Sequence, residues 1–328
     1  MYKVIFMSKI KFLAKLLFIS ILAASCKPDP KSEMESEINR FQQYVIKNDF
    51  GLCPGEISLT IDDGPYGFSL DLAIYLANTG VPATFFMTGK QIRQFKNDVI
   101  KLLKLKLPNG KYAHNIANHS EYHSFAVRTR IENAYDIAIE IKNTNNLIDE
   151  VIKEAGLKDD PRFHKFYRPP FGTYSGKDIA VFLNEFVTEK GYKELGELVG
   201  PVFWHTGGVW DNTKQYGADW KCWSYNPETN SSFANVSECG QRYLNEIEDK
   251  RFRGQVLLVH DVNRKTFEML TGEDGIIERS RKHGYKWVRL DKNMDRINIM
   301  KNYADYEGGP SFPAVTCPEL KIKTGLRK

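Results

Sequence analysis

Residues 56–65 read Glu56-Ile57-Ser58-Leu59-Thr60-Ile61-Asp62-Asp63-Gly64-Pro65. The first six residues form a β-like run, and two carboxylates followed by Gly-Pro stop it. Adjacent residues at the end of a strand point to different sides, so Asp62 and Asp63 are able to hold different roles. Taken alone, the same four residues also suit a solvated turn. The pattern further along the chain weighs between the two readings.

Residues 70–78 have helical spacing closed by Gly80, and residues 82–87 form a second strand ended by Thr88-Gly89. Residues 115–118 are a short third strand. Residues 132–154 predict a long amphipathic helix, with Ile137, Ile141, Ile148 and Ile152 on or near one face. Phe166-Tyr167 then leads into Arg168-Pro169-Pro170-Phe171-Gly172. Residues 179–190 are again helical. Residues 201–204 and 256–259 are fully apolar, as buried parallel strands tend to be. A helix over 275–282 precedes a closing strand over 285–290. Strand–helix alternation over about 230 residues predicts an α/β protein, either a barrel or a doubly wound sheet. Each polar cluster sits where a strand is predicted to end, and in parallel α/β folds those ends carry the active site.

The 328 residues are 42% hydrophobic and 27% charged, which excludes a disordered chain. A polytopic membrane protein is excluded too, because only the N-terminus has a long apolar run. The formal charge is +5, but Lys3, Lys9, Lys11 and Lys15 lie in the first 25 residues, which hold no acid. Without that segment 42 basic residues face 41 acidic ones, so there is no electrostatic case for a nucleic-acid partner.

Residues 1–25 read as an export signal. Lys9, Lys11 and Lys15 lead into an apolar run that ends in Ala23-Ala24-Ser25, directly before Cys26. Such a Cys resembles a bacterial lipoprotein processing site, with an ordinary cleaved signal as the alternative. The expected protein is a monomer, exported, anchored to a membrane through lipid on Cys26, and facing the periplasm or the cell exterior. Residues 26–50 form a tether, 51–290 the main domain and 291–328 a polar tail. Cys53, Cys222, Cys239 and Cys317 remain, an even number that suggests two disulfides in an oxidising compartment. Proximity favours Cys222–Cys239, leaving Cys53–Cys317 to clasp the domain ends.

His119 and His123 stand four apart. On one side of a helical turn their imidazoles would converge and share a metal ion with a carboxylate; otherwise they are surface histidines. Two imidazoles and a carboxylate suit Zn²⁺, with Co²⁺, Ni²⁺ or Fe²⁺ also possible. Three protein ligands leave positions for water and substrate, which marks a catalytic site. His260 follows the run 256–259 and is placed either to protonate a leaving group or to pack at the rim. Arg168 heads a loop stiffened by two prolines and can hold a carboxylate. Trp204, Trp210, Trp220 and Trp223 crowd together with Gly207-Gly208 and Asp219, which suits either a core or a groove that stacks on sugar rings.

Taken in order, these motifs resemble the NodB-type polysaccharide deacetylases, carbohydrate esterase family 4. Thr60-Ile61-Asp62-Asp63-Gly64-Pro65 is similar to the family's T-F-D-D-G-P, and residues 83–89 to its second strand. His119-Ser120-Glu121-Tyr122-His123 matches H-[ST]-x-x-H. Arg168-Pro169-Pro170-Phe171-Gly172 is similar to R-x-P-[YF]-G, and Leu258-Val259-His260 matches L-x-H. The resemblance implies a distorted (β/α) barrel with fewer than eight complete units. It implies Asp63, His119 and His123 as metal ligands, Asp62 as general base oriented by Arg168, and His260 as general acid. It further implies the Phe171 N–H as an oxyanion donor, Leu258 as a wall of the acetyl pocket, and Trp220 and Asp219 in the substrate groove.

One motif departs. Where the family often has D-x-x-D-W, this chain has Tyr216-Gly217-Ala218-Asp219-Trp220, so either Asp219 or Asp211 would support His260. The implied activity is removal of acetyl groups from a polysaccharide. Peptidoglycan is the first substrate expected, then poly-N-acetylglucosamine or chitin fragments, then acetylxylan. A non-catalytic glycan-binding lipoprotein is the rival from another class.

Overall fold

A computed structural model of the chain describes residues 52–123, 134–163, 165–170, 198–199, 219, 225–226, 231–232, 236–248 and 254–292. Strand β1 (Glu56–Asp62) is buried along its whole length. Helix α1 (Ser69–Asn78) follows and turns Leu72, Ala73, Leu76 and Ala77 inward at helical spacing. Strand β2 (Ala83–Met87) leads into the short helix α2 (Gly89–Gln94), then α3 (Lys96–Lys104), which buries Val99, Leu102 and Leu103. Strand β3 (His114–Asn118) and the long helix α4 (Ala134–Glu154) come next. Short strands β4 (Lys165–Phe166), β5 (Leu198–Val199), β6 (Tyr225–Asn226) and β7 (Ser231–Ser232) precede helix α5 (Val236–Ile247). Strand β8 (Gln255–His260), helices α6 (Arg264–Leu270) and α7 (Ile276–Lys282) and strand β9 (Lys286–Trp287) end the described part.

The strand pairing is parallel throughout the main sheet. β1 pairs with β2 and β2 with β3, all parallel. Tyr167 bridges Asn118 in parallel, which places the β4 segment beside β3, and β4 pairs with β5. β8 then returns to lie parallel to β1, with Ile57 opposite Gln255 and Asp62 opposite His260. Strands laid down side by side in sequence order from β1 to β5, with the late strand β8 on the free side of β1, fit the winding of a distorted (β/α) barrel. β9 adds two residues against the start of β1.

Alternation along the strands sorts the core. Ile57, Leu59, Ile61, Phe85, Leu257 and Val259 pack against the helices with Leu72, Leu76, Leu102 and Ile277. Phe86, Ala117, Phe166 and Val256 form a separate cluster on the other side of the strands. Burying one such Leu, Ile or Phe stabilises the fold by about 1.5–3 kcal/mol. The site therefore rests on a closely packed wall.

α4 confirms the expected apolar face, since Ile141, Ile148 and Ile152 are buried. The closing strand expected over 285–290 is shorter: after Lys286–Trp287 only the Val288 N–H still bonds to the Ile57 carbonyl. Helices α2, α3, α5 and α6 were not anticipated. Thr88-Gly89 ends β2, as read, but the Thr88 hydroxyl also accepts the Gln91 N–H and so starts α2. The helix expected over 179–190, the strand over 201–204, the N-terminal signal and tether, the tail beyond residue 292, Cys222 and Cys317 lie outside the described residues.

Candidate active site

Parallel pairing brings the polar clusters to one end of the barrel. β1 stops at Asp62, β3 stops just before His119, and β8 stops at His260, which is in register with Asp62. Asp63 then adopts a left-handed conformation with φ 76°. Asp tolerates that region better than most residues, and the turn separates the two carboxylates. Asp62 faces Arg168, while Asp63 faces the two histidines.

The His119–His123 segment is not the helical turn expected. Ser120 (φ 64°) and His123 (φ 54°) are both left-handed. Tertiary contacts impose this shape. The Gly89 N–H bonds to the Ser120 carbonyl at 3.0 Å and the Lys90 N–H to the Glu121 carbonyl at 2.9 Å. Asn118 Oδ1 accepts the Ser120 N–H at 2.8 Å. The Glu140 carboxylate accepts the N–H groups of Glu121 and Tyr122, each at 3.3 Å. The Glu121 side chain takes bonds from Arg93 and Asn143. Gly89 permits the close approach, because a Cβ there would lie 2.7 Å from Thr144 Oγ1.

Asp63, His119 and His123 are thus brought together, with candidate ligand atoms within 4.8 Å of one another. Asp63 Oδ1 lies 3.1 Å from His119 Nε2 and 3.1 Å from His123 Nε2. It is buried and, among the described residues, completes no well-formed hydrogen bond. Two nitrogens and an oxygen converging without hydrogen-bond geometry fit a metal ion. The tautomer agrees: His119 Nδ1 lies 2.8 Å from the Arg168 carbonyl, which can only accept, so Nε2 carries the lone pair. Burial pushes the Asp63 carboxyl up, but His119, His123 and His260 more than reverse this and hold it well below the usual carboxylate range.

Asp62 Oδ1 accepts from Arg168 Nη1 at 2.6 Å, and Asp62 Oδ2 stands 3.8 Å from His119 Nε2. Arg168 is completely buried; its Nη1 also bonds to Thr60 Oγ1 at 2.9 Å, and its guanidinium lies over the Phe86 ring at 4.2 Å. That packing fixes the Asp62 carboxylate at the mouth of the metal cluster.

His260 is held from behind. Its Nδ1 is 2.8 Å from Asp219 Oδ1, and its backbone N–H donates to Asp219 Oδ2 at 2.6 Å. Thr266 Oγ1 donates to the same Oδ2 at 2.9 Å. The Asp219 N–H bonds to the Tyr243 hydroxyl, which donates to the Leu258 carbonyl. Burial pushes the His260 imidazole down; Asp219, aided by Asp63 and Asp62, outweighs it and raises the pKa to about 10. The open choice is decided for Asp219, and Asp211 lies outside the described residues. Asp219 is fully buried and holds His260 from behind; it does not line a substrate groove as expected. Leu258 is buried on β8, and Phe171 and Trp220 lie outside the described residues.

Sequence reasoning missed Thr266, Tyr243, Glu121 and Glu140, whose parts depend on tertiary neighbours, and Asp261. Asp261 is buried against Gly64, where a Cβ would lie 2.2 Å from its Oδ2, and burial pushes its carboxyl up to about 7. Its position directly after His260 was the one available signal.

A parallel β/α fold that gathers Asp63, His119 and His123, with Asp62 beside them and His260 in register with Asp62, holds the groups that a metal-assisted hydrolysis would need. Residues 51–183 match the model of the polysaccharide deacetylase family. A peptidoglycan-N-acetylglucosamine deacetylase of Bacillus cereus is 24% identical over 230 residues, covering 70% of this chain and 67% of that one. A chitin deacetylase of a Pestalotiopsis species is 32% identical over 76 residues, 23% of this chain and 24% of the other. Among solved structures, a polysaccharide deacetylase of Bacillus cereus aligns with a TM-score of 0.49 and 21% identity over 72% of this chain and 91% of that one. A Bacillus subtilis family 4 carbohydrate esterase aligns with a TM-score of 0.48 and 21% identity over 77% and 88%. The family match ends at residue 183; Asp219 and His260 lie beyond it and join the site through their contacts with each other and the register of β8 with β1.

Proposed function

We propose that the protein is a metal-dependent deacetylase that removes acetyl groups from the N-acetylglucosamine of peptidoglycan. The observation that carries this reading is the convergence of Asp63, His119 and His123 beside Asp62, with His260 in register with Asp62 on the neighbouring strand. The relative that acts on peptidoglycan supports the choice of polymer. The short match to a chitin deacetylase makes chitin oligosaccharides the second choice.

Amide hydrolysis needs a nucleophile, a base, an acid and a charge acceptor. Asp63, His119 and His123 would hold a divalent ion, zinc by ligand type. When bound, the ion supplies Lewis acidity, lowering the pKa of a water to about 7 and polarising the acyl oxygen. Asp62 takes the proton of the attacking water, and Arg168 holds Asp62 in place. His260, charged through Asp219, gives a proton to the nitrogen as the C–N bond breaks, leaving acetate and an amine. Base and acid each contribute roughly 10²–10⁴-fold. Leu258 bounds the acetyl methyl; the family resemblance gives the Phe171 N–H as oxyanion donor and Trp220 as a sugar contact, and both lie outside the described residues.

The reading includes export, a lipid anchor on Cys26, and two disulfides. It is supported by the N-terminal pattern and by Cys53 and Cys239, both of which are disulfide-bonded. Among the described residues no helix is long and apolar enough to cross a membrane. The test is acetate release from peptidoglycan, chitin oligosaccharides, poly-N-acetylglucosamine and acetylxylan, measured before and after chelation, with metal content from elemental analysis. Release from peptidoglycan that stops on chelation and returns with Zn²⁺ is expected. A metal-loaded protein that frees no acetate from any polymer overturns the reading.

A further inference from the structure

Among the described residues four large hydrophobic side chains stand exposed: Ile74, Ile139, Tyr122 at 59% and Val262 at 37%. Ile74 and Ile139 lie on the helices α1 and α4. The other two lie on the loops that carry the reacting groups. Tyr122 sits between His119 and His123 after β3, and Val262 sits two residues beyond His260 after β8. The strand order β3-β2-β1-β8 puts these loops on opposite sides of Asp62 and Asp63. Three strand spacings separate β3 from β8, about 15 Å across the sheet.

The Tyr122 backbone is fixed. The Glu140 carboxylate accepts its N–H, and left-handed residues bracket it at Ser120 and His123. Its neighbour Glu121 is buried and bonded to Arg93 and Asn143. The Arg93 guanidinium approaches the Tyr122 ring at 6.0 Å, the outer limit of a cation–π contact. A loop fastened this firmly, yet carrying its largest side chain outward, buries the polar anchor and offers the aromatic. Tyrosine presents a rigid apolar face with a polar tip and only two torsions to freeze. That matches a pyranose ring, whose C–H face is apolar and whose rim is hydroxylated.

We propose that Tyr122 is a stacking platform for a sugar ring adjoining the one that reacts, with Val262 as the apolar wall across the site. The substrate is then an oligosaccharide lying across the strand ends, not a single acetylated sugar. This rests on the glycan deacetylase reading and adds a binding subsite to it.

The experiment compares the full-length metal-loaded protein with Tyr122→Ala, Tyr122→Phe and Tyr122→Trp on N-acetylglucosamine oligomers of increasing length. Loss of one aromatic contact should raise KM for the longer oligomers about tenfold in Tyr122→Ala. Most of that rise should vanish in Tyr122→Phe and Tyr122→Trp, and metal content should match the parent in all three. An unmoved KM, a fall in kcat alone, or loss of metal in Tyr122→Ala overturns the proposal. If the parent frees no acetate, the deacetylase reading fails by itself, and calorimetric binding of the same oligomers decides the platform. Weaker binding by Tyr122→Ala, restored by Tyr122→Trp, supports it; equal binding, or no binding by the parent, overturns it.

Discussion

Replacing Asp219 with Asn tests whether His260 serves as the acid. In the parent, burial lowers the imidazole pKa, and Asp219, with help from Asp63 and Asp62, lifts it to about 10. Asn keeps the shape but removes the largest favourable charge while the burial stays. The variant's imidazole should therefore titrate at or below its ordinary value of about 6.5. If the protonated form carries the reaction, the rate follows its population. At pH 8 that is about 99% in the parent and at most about 3% in the variant, a loss of about 30-fold. At pH 6 about three quarters of the variant's His260 is still protonated, and the loss on this ground nearly disappears. Misplacement of the ring would instead lower the rate by a similar factor at every pH. The assay is kcat against pH on a defined oligosaccharide, with circular dichroism to check folding. Stability should move in the same sense. The folded pKa lies above the unfolded one, so the parent has this stabilisation in full below about pH 6.5 and loses it as the pH rises through about 10. A variant whose activity keeps the parent's alkaline limb would refute the assignment.

The two adjacent carboxylates should fail differently. Asp62→Asn should retain metal and lose roughly 10²–10⁴-fold in kcat, whereas Asp63→Ala should lose metal and activity together, with partial rescue by excess Zn²⁺; elemental analysis beside acetate release separates them, and a metal-free Asp62→Asn reverses the roles. Arg168→Lys keeps the charge but loses the planar guanidinium that lies over Phe86 and from there reaches Asp62 and Thr60 through Nη1. Misplacing the Asp62 carboxylate should cost about 10²-fold in kcat with little change in metal content, and a variant with parental kcat removes the positioning role. Gly64→Ala drives a Cβ to 2.2 Å from Asp261 Oδ2 and should destabilise by about 1–3 kcal/mol; a melting temperature equal to the parent's would show that the contact relaxes at no cost.

What was legible in the sequence was whatever a strand end displays. Asp62-Asp63, His119, Arg168 and His260 each follow or end a short apolar run, and parallel pairing gathers those ends without further information. The barrel over the doubly wound sheet was legible only through the family resemblance, because the return of β8 to β1 leaves no mark on either strand. Tertiary contacts hid the rest. The left-handed residues Ser120 and His123 follow from bonds to Gly89, Lys90 and Glu140, which are distant in sequence, so the spacing of two histidines read as a helical turn. Asp219 and Asp211 were equivalent by composition; Tyr243 and Thr266 select Asp219, and both belong to elements that were not anticipated. Thr88-Gly89 read correctly as the end of a strand, but the same two residues also start a helix.

Charge explains why two carboxylates can sit side by side in a buried site. Asp62 is matched by Arg168, and Asp219 by His260. That leaves Asp63, facing two imidazoles that serve as ligands through their lone pairs. Its carboxylate is the one negative charge in the cluster without a cationic side chain of its own. A buried unmatched carboxylate is costly, yet Asp63 is held in its ionised form. A bound cation would add to the help that His119, His123 and His260 give this carboxylate. A divalent ion there would change the sign of the local charge from one negative to one positive, and would suit the negative charge that develops on an acyl oxygen during attack. Arg168 is essential to this arrangement although it touches no reacting atom. It holds the Asp62 carboxylate apart from Asp63, in the place a base would need.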